Sequence, residues 1–319
     1  MVYYLRKRLL AAIPTLFGIT VLIFLAMRVL PGDPVSFIFT EAKGAQVLSA
    51  EQRQQALAKL GLDRPYYVQY LAWIGGVLRG DLGTSFWRGE KTVDLIARRG
   101  PITAQIALMA VALSWAIGLP AGIFSAVRRN SWLDYLFRVS VTFFLAVPSF
   151  LIGLTVVLVG VLVFNWRPPL TIAYPWTDPL TNLQITMGPA VALGLGLAAV
   201  IARFTRSSCL EVLNEDYVRT ARAKGLVERR VVFGHVFRNA LLPVITVSGL
   251  ALSGLLGGSV AVERAFGVPG LGLALTFALA ERDWNVIQNL VLLYGVIVTV
   301  INLVVDLSYG WFDPRIRYQ

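Results

Sequence analysis

Long apolar runs dominate the chain, and charged positions interrupt them in only a few places. A helix crosses the ~30 Å hydrocarbon core of a bilayer with about 20 apolar residues, so uncharged runs near that length predict membrane-spanning helices. The runs that qualify are Leu9–Met27, Ile102–Val127, Val139–Phe164, Met187–Ala202, Leu241–Val262 and Val286–Val305. The pattern therefore predicts an all-α integral membrane protein with six transmembrane helices.

Composition agrees with this prediction and excludes several other classes of protein. Of the 319 residues, 56% are hydrophobic and 15% are charged, whereas a soluble domain is about 25% charged and under half apolar. So few charges also argue against intrinsic disorder. One cysteine, Cys209, excludes a disulfide framework, and one histidine, His235, leaves no histidine pair for zinc.

Basic residues are distributed unevenly among the segments that connect the runs. With the N-terminus inside the cell, the cytoplasmic segments hold Arg6, Lys7, Arg8, Arg128, Arg129, Arg138, Arg203, Arg206, Arg219, Arg222, Lys224, Arg229, Arg230, Arg238, Arg315 and Arg317. The short outer loops hold only Arg167, Arg264 and Arg282. Because short cytoplasmic loops carry the excess of Lys and Arg, both termini are predicted to be cytoplasmic. The same asymmetry accounts for the net charge of +11 without nucleic-acid binding.

This topology divides the chain into four parts. Residues 1–30 form a cytoplasmic N-terminus and the first transmembrane helix, 31–100 an extracytoplasmic segment, 101–310 the transmembrane core, and 311–319 a cytoplasmic tail.

The outer segment is too long to be a simple connection, and it has helical pieces of its own. Composition predicts short helices over Glu51–Leu60 and Tyr66–Leu78, separated by Gly61-Leu62-Asp63-Arg64-Pro65. The second piece is aromatic, with Tyr66, Tyr67, Tyr70 and Trp73. These side chains fit an interfacial belt, internal packing or contacts with a ligand.

The cytoplasmic segment 203–240 has the pattern of two amphipathic helices around a glycine. Leu210, Leu213, Tyr217 and Ala221 recur at helical spacing before Gly225. Val227, Val231, Val236 and Ala240 continue the apolar pattern after it. Gly225 suits a positive φ or a close backbone contact, and Ala221 and Ala223 leave room for a partner. Periodicity alone leaves two interpretations open, docking into a groove of another protein and lying on the bilayer surface.

Several motifs resemble those of one family of membrane proteins. They are Leu30-Pro31-Gly32-Asp33-Pro34, Gly61-Leu62-Asp63-Arg64-Pro65, Arg79-Gly80-Asp81-Leu82-Gly83, Asp216-Tyr217-Val218-Arg219-Thr220-Ala221-Arg222-Ala223-Lys224-Gly225, Arg238-Asn239-Ala240-Leu241-Leu242-Pro243, Gly267-Val268-Pro269-Gly270-Leu271-Gly272 and Asp313-Pro314-Arg315. In this order along the whole chain they resemble the dipeptide/oligopeptide/nickel branch of bacterial ABC-transporter permeases, and within it the first of two paralogous subunits. The broad permease signature begins Glu-Ala-Ala, where this chain has Thr220-Ala221-Arg222-Ala223. We interpret that departure as typical of the branch.

The resemblance implies a type I importer fold and a set of partners. It implies a second, paralogous permease subunit, two subunits that bind ATP and Mg, an extracytoplasmic solute-binding protein and the bacterial inner membrane. The residues implied to contact an ATP-binding subunit are Glu215, Asp216, Tyr217, Thr220, Ala221, Arg222, Ala223, Lys224 and Gly225. The candidate rim contacts for docking of the binding protein or for gating are Glu263, Arg264, Phe266, Pro269, Glu281, Arg282 and Asp283, although solvated loop charges are an equal alternative.

The chemistry available to this chain is limited. None of its five lysines lies in a GxxxxGK[ST] phosphate loop, so the expected role is a non-catalytic subunit without its own cofactor or metal. Asn302 and Asp306 lie on one face at the end of the last run. Two interpretations are open: Asp306 belongs to a functional site, or it is a structural partner of Arg138 or another cytoplasmic-end arginine. The expected cargo is a di- or oligopeptide. Alternatives are nickel, a heme precursor, a sugar or another small solute in the same architecture, and a stand-alone carrier or channel.

Overall fold

The computed structural model describes residues 2–29, 35 and 49–312, and these are almost entirely helical. The helices are α1 (Val2–Val29), α2 (Ala50–Lys59), α3 (Tyr66–Leu78), α4 (Thr92–Val127), α5 (Trp132–Ala146), α6 (Ser149–Phe164), α7 (Pro179–Leu213), α8 (Asp216–Ala223), α9 (Glu228–Val231), α10 (Phe237–Phe266), α11 (Leu271–Ala280) and α12 (Trp284–Phe312). A π-helical turn, Val232–Val236, joins α9 to α10. The motifs 30–34 and 313–315, and the tail beyond them, lie outside the described residues.

Several of these helices are long and apolar enough to cross a bilayer. Within the described residues, five single helices meet this requirement of length and hydropathy, over Arg8–Val29, Thr92–Val127, Pro179–Leu213, Pro243–Phe266 and Trp284–Leu307. The prediction of an all-helical protein with several apolar spans is confirmed. The short run Met187–Ala202 is the middle of the 35-residue helix α7, which continues past Arg203 and Arg206.

The predicted span over Val139–Phe164 is broken, and the prediction of one uninterrupted helix there is wrong. Helices α5 and α6 meet at an angle of 98°. The break lies at Val147-Pro148, where Val147 is extended, with φ −86° and ψ 122°. Proline has no N–H to donate, and it disfavours the helical conformation of the residue before it. The described helices therefore make five spans, or six if the bent pair counts as one.

The core forms where α4 packs along the length of α7. Small residues let the two backbones approach closely, since a Cβ on Gly118 would lie 2.8 Å from the Ala198 carbonyl oxygen and one on Gly122 would lie 2.7 Å from that of Ala202. Helices α6 and α10 close the core. Its buried residues are Ile102, Ile106, Ala110, Ala173, Ile185, Ala192, Leu193, Leu197, Ile201, Val244, Leu255, Val262, Phe266 and Val268.

Phe266, the last residue of α10, is held between two other helices. A Cβ on Gly188 of α7 would lie 2.5 Å from one edge of its ring, and a Cβ on Gly153 of α6 would lie 2.8 Å from the other edge. The ring therefore fills the space that both glycines leave, and it connects three helices.

The outer segment is attached to α1 and α12 through aromatic and amide side chains. Both predicted helices of this segment are confirmed, over Ala50–Lys59 and Tyr66–Leu78. Tyr70 packs edge-on against Phe24 with ring centroids 5.2 Å apart, and Trp73 donates to Asn289 Oδ1 at 3.1 Å. These two aromatic residues therefore serve internal packing, whereas Tyr66 and Tyr67 are exposed.

The motif Arg79–Gly83 is positioned by two asparagines of α12. Asn285 and Asn289 both donate to the Leu82 carbonyl oxygen, at 2.9 and 2.8 Å. Gly83 has φ +66°, and a Cβ there would lie 2.9 Å from the Asn285 amide. Glycine is thus favoured at position 83 for two reasons, the positive φ of the backbone and the close approach of the Asn285 side chain.

Candidate functional site

The segment 203–240, which was predicted to be cytoplasmic, contains a small helical unit, and two side chains of α8 anchor that helix to the body of the protein. Val218 and Ala221 are the buried residues of α8. They pack in a cluster with Ile123, Ala126, Cys209, Val231, Val232, Val236 and Ala240. The apolar face predicted from Leu210 to Ala221 is therefore present. It is divided between two helices, however, because α7 ends at Leu213 and α8 begins at Asp216.

Gly225 forms the turn between α8 and α9. Its φ is +77°, so the predicted positive φ is confirmed. A Cβ added at Gly225 would have nothing within 4 Å. Glycine is thus favoured here by the backbone conformation, since a left-handed φ strains other residues.

An ion pair and a hydrogen bond fix this unit on its outer side. Arg222 binds Glu228 across the turn, with Nη2–Oε1 at 2.7 Å and Nε–Oε2 at 3.1 Å. The hydrogen bonds from Arg222 hold the pKa of Glu228 below its ordinary value, and the pKa of Arg222 is raised in turn. Asn239 of α10 donates to the Tyr217 hydroxyl at 2.9 Å. The hydrogen bond joins α8 to the first turn of α10.

Most of the sequence-predicted coupling residues lie on one accessible surface. Glu215, Asp216, Tyr217, Thr220, Arg222, Ala223, Lys224 and Gly225 are all exposed. We call this group the coupling surface. Ala221 is the exception, because it is 6% exposed and faces the protein's own core. Of the two alanines expected to leave room for a partner, only Ala223 is accessible.

At the opposite end of the protein, the structure buries a carboxylate that was expected at a rim. Glu263 is 0% exposed. Its carboxylate accepts from Thr103 Oγ1 at 2.8 Å and from the Gly272 and Leu273 amides of α11 at 2.7 and 3.1 Å. A Cβ on Gly270 would collide with it. Glu263 therefore caps the N-terminus of α11, where a negative charge is stabilised by unpaired amides.

Three further rim candidates are also buried. Asp283 accepts a hydrogen bond from the Ser85 hydroxyl and another from the Val286 amide at 3.3 Å, which caps α12. Phe266 fills the core, and Pro269 is buried in the loop that follows it. The expectation that these residues and Glu263 are rim contacts is thus wrong for the isolated chain, because each of them is buried by contacts with other residues of the same chain.

The remaining outer candidates are accessible to a partner. Arg264 is exposed, and its guanidinium lies 5.0 Å from the centre of the Phe277 ring. Glu281 pairs with Arg88 at 2.9 Å, and both Glu281 and Arg282 are partly exposed.

An arginine pairs with the carboxylate of the last helix, as the structural interpretation expected, and that arginine is Arg8. Asp306 pairs with Arg8 of α1 at 3.1 Å, and Asn302 accepts from Ser253 at 3.0 Å. Arg138, the other arginine considered for this role, lies 3.8 Å from Asp134.

Sequence reasoning missed Asp134 itself. This residue of α5 is fully buried, and it binds Arg206 of α7 with two hydrogen bonds of 2.9 and 3.0 Å. The sequence feature that could have pointed to Asp134 is Ser131, three residues before it. Ser131 caps α5 by accepting a hydrogen bond from the backbone amide of Asp134. Among the described residues, no group of three His, Cys, Asp or Glu side chains could hold a metal ion.

Comparison with known proteins places this geometry in a wider context. Residues 118–318 match the family model described as a binding-protein-dependent transport system inner membrane component, and residues 1–107 match its N-terminal counterpart. The chain is 40% identical to the oligopeptide transport system permease protein AppB of Bacillus subtilis, with 100% of both chains covered. It is 41% identical to the glutathione transport system permease protein GsiC of Escherichia coli O6:H1, again over 100% of both chains.

The fold also occurs among solved structures. An example is the inward-facing MetNI methionine ABC transporter, with a TM-score of 0.58 and 20% identity over 69% of this chain and 97% of that one.

Proposed function

The chain belongs to the family of binding-protein-dependent transport system inner membrane components, and from that premise we propose that it forms one half of the pathway of an ABC importer for di- or oligopeptides. The observation that carries this proposal is the 40% identity over the full length to an oligopeptide permease, next to 41% identity to a glutathione permease. Both cargoes are short peptides. An importer of nickel or another small solute would share the architecture, and a stand-alone carrier or channel would act without partners.

The proposed assembly contains this chain, a second and paralogous permease subunit, and two ATP-binding subunits in the bacterial inner membrane. ATP and Mg are held by the ATP-binding subunits, since the lysines of this chain lie outside any phosphate-loop motif. An extracytoplasmic binding protein delivers the peptide to the outer end, where Arg264, Glu281 and Arg282 are accessible for docking.

The coupling surface is the proposed contact with an ATP-binding subunit. Helix α8 exposes Tyr217, Thr220 and Ala223 while Val218 and Ala221 hold it to the protein. The Tyr217–Asn239 hydrogen bond links it directly to α10. When the ATP-binding subunits close on nucleotide, a docked α8 moves as a rigid body and carries α10 with it, so the pathway opens outward.

A bulky charge on the coupling surface tests this proposal. Ala223→Glu places a carboxylate on an exposed residue in the last turn of α8, so the fold remains and the contact is obstructed. The matched control is Ala58→Glu, which changes an exposed alanine in the last turn of the outer helix α2. We expect co-purification of the ATP-binding subunits to fall at least tenfold in Ala223→Glu and to stay unchanged in Ala58→Glu.

Uptake assays in membrane vesicles then identify the cargo. We expect ATP-dependent uptake of labelled di- and oligopeptides by the wild type, and its loss in Ala223→Glu. Uptake of nickel but not of peptides would contradict the proposed cargo and leave the importer intact. Transport by the purified chain without ATP-binding subunits would contradict the importer itself.

A further inference from the structure

A cleft opens to the surface between α4, α5 and α7, near the predicted cytoplasmic end of the protein. Its volume is about 570 Å³. Small residues of α4 and α7 and apolar residues of α5 form most of its wall, among them Ala121, Ala202, Val141, Leu145 and Ala146. A cleft of this kind suits an apolar chain.

Three arginines line the same cleft, and they are only partly neutralised. Arg206 is bound by the buried carboxylate of Asp134, and Arg138 lies 3.8 Å from the same carboxylate. Arg203 is exposed and makes no salt bridge with any residue in 2–29 or 49–312. Three guanidinium groups and one carboxylate leave two uncompensated positive charges at the wall. The cleft therefore complements an anion.

The position of the cleft suits the headgroup level of a bilayer. Ala121 lies six residues before the end of α4 at Val127, which is about 9 Å along the helix axis. Helix α5 presents an exposed apolar stripe beside the cleft, formed by Trp132, Leu136, Val139 and Phe143. The spacing of these residues places them on one helical face, and such a face is covered by hydrocarbon in a membrane.

We propose that this cleft binds an anionic phospholipid of the cytoplasmic leaflet, with its phosphate on Arg203 and Arg138 and its acyl region against the apolar wall. Basic pockets between membrane helices on this side suit anionic headgroups, and each guanidinium near the surface strengthens the binding of an anionic lipid about fivefold. A soluble phosphate would use the arginines but leave the apolar wall and the exposed stripe of α5 uncovered. The lipid occupies all three features.

Native mass spectrometry of the assembled transporter with added lipid tests this proposal. The probes are phosphatidylglycerol, which is anionic, and phosphatidylcholine, which is zwitterionic. We expect tighter binding of phosphatidylglycerol, weakened about fivefold in Arg203→Gln. The matched control is Arg129→Gln, which removes an exposed arginine just beyond the end of α4, outside the cleft. It should leave phosphatidylglycerol binding within twofold of the wild type.

A second variant tests the place of binding without changing its charge. Thr142→Trp introduces a large side chain at an exposed position of the cleft wall, and we expect it to remove the bound phosphatidylglycerol. Equal binding of the two lipids, or an Arg129→Gln loss as large as that of Arg203→Gln, would overturn the proposal. So would displacement of the lipid by millimolar inorganic phosphate or by a dipeptide, which would assign the cleft to a soluble ligand.

Discussion

The ion pair between the buried Asp134 and the partly exposed Arg206 offers a direct test of what holds α5 against α7. Replacing Asp134 by asparagine keeps the shape of the side chain but removes its charge. The amide can no longer accept both hydrogen bonds from Arg206, at 2.9 and 3.0 Å, together with the one from the Asn130 amide at 3.0 Å. Because Asp134 is 0% exposed, water cannot replace these contacts.

The expected loss is large, and it should be partly reversible. Breaking one side of a fully buried pair costs about 3–5 kcal/mol, mainly because the other charge is left uncompensated. Because Arg206 is 23% exposed, the lower end of that range, about 3 kcal/mol, is expected here. At about 2 °C per kcal/mol for a chain of this size, Asp134→Asn should lower the melting temperature by about 6 °C. The double variant Asp134→Asn with Arg206→Gln removes both charges, and it should recover at least half of that loss.

The single cysteine supplies the assay. Cys209 is 1% exposed, so it reacts with a maleimide only when its surroundings unfold. Mass spectrometry of the labelled Cys209 peptide, taken from the intact transporter over a temperature series, gives the melting temperature of this chain alone. A shift below 2 °C in Asp134→Asn would refute the reasoning, as would a double variant no more stable than the single one.

Three further outcomes follow from the geometry of other sites. Glu263→Ala should lower the free energy of unfolding by about 3–5 kcal/mol, because it leaves three buried hydrogen-bond donors unpaired. Glu263→Gln keeps an acceptor, so it should cost only about 1–2 kcal/mol. Equal melting temperatures of the two variants would contradict the capping role. Gly83→Ala should destabilise the protein more than Gly80→Ala, since both have positive φ but only the first meets a side chain; chemical denaturation compares them, and equal costs would show that the contact relaxes. The pKa of Glu228 is lowered by Arg222, so the stability that this pair adds is present above the ordinary glutamate value of about 4.3 and is lost as the pH falls below it. Both side chains are over 40% exposed, so the difference between wild type and Glu228→Gln should be under about 1 kcal/mol at pH 7 and should vanish in acid; a difference that persists in acid would refute it.

Local sequence signals predicted the parts of the fold that depend on nearby residues. The helix over Tyr66–Leu78 follows from a proline at its start and an apolar, aromatic pattern, and both of its bounds are confirmed. The positive φ of Gly225 follows from the break in periodicity around it. Each of these features depends on residues within one or two helical turns, so the sequence contains enough information to predict it.

Features that depend on distant contacts could not be predicted in the same way. The acidic character of Glu263 favoured an exposed position, but the amides that hold it belong to α11, nine or more residues further along the chain. The α5–α6 break had a local signal in Pro148, but the apolar run continued through it and indicated a single span. For the coupling surface, the pattern predicted an amphipathic unit, and only the packing of Ala221 distinguished its inner face from its outer one.

The packing of Phe266 between Gly153 and Gly188 limits which substitutions this sequence can accept during evolution. The ring and the two glycines beside it, Gly153 and Gly188, belong to three different helices, yet they divide one volume among them. An alanine at either glycine is compatible only with a smaller side chain at 266, and a smaller side chain at 266 alone leaves a cavity. The three positions should therefore vary together among related permeases, as a unit that no single substitution can alter without a loss of stability.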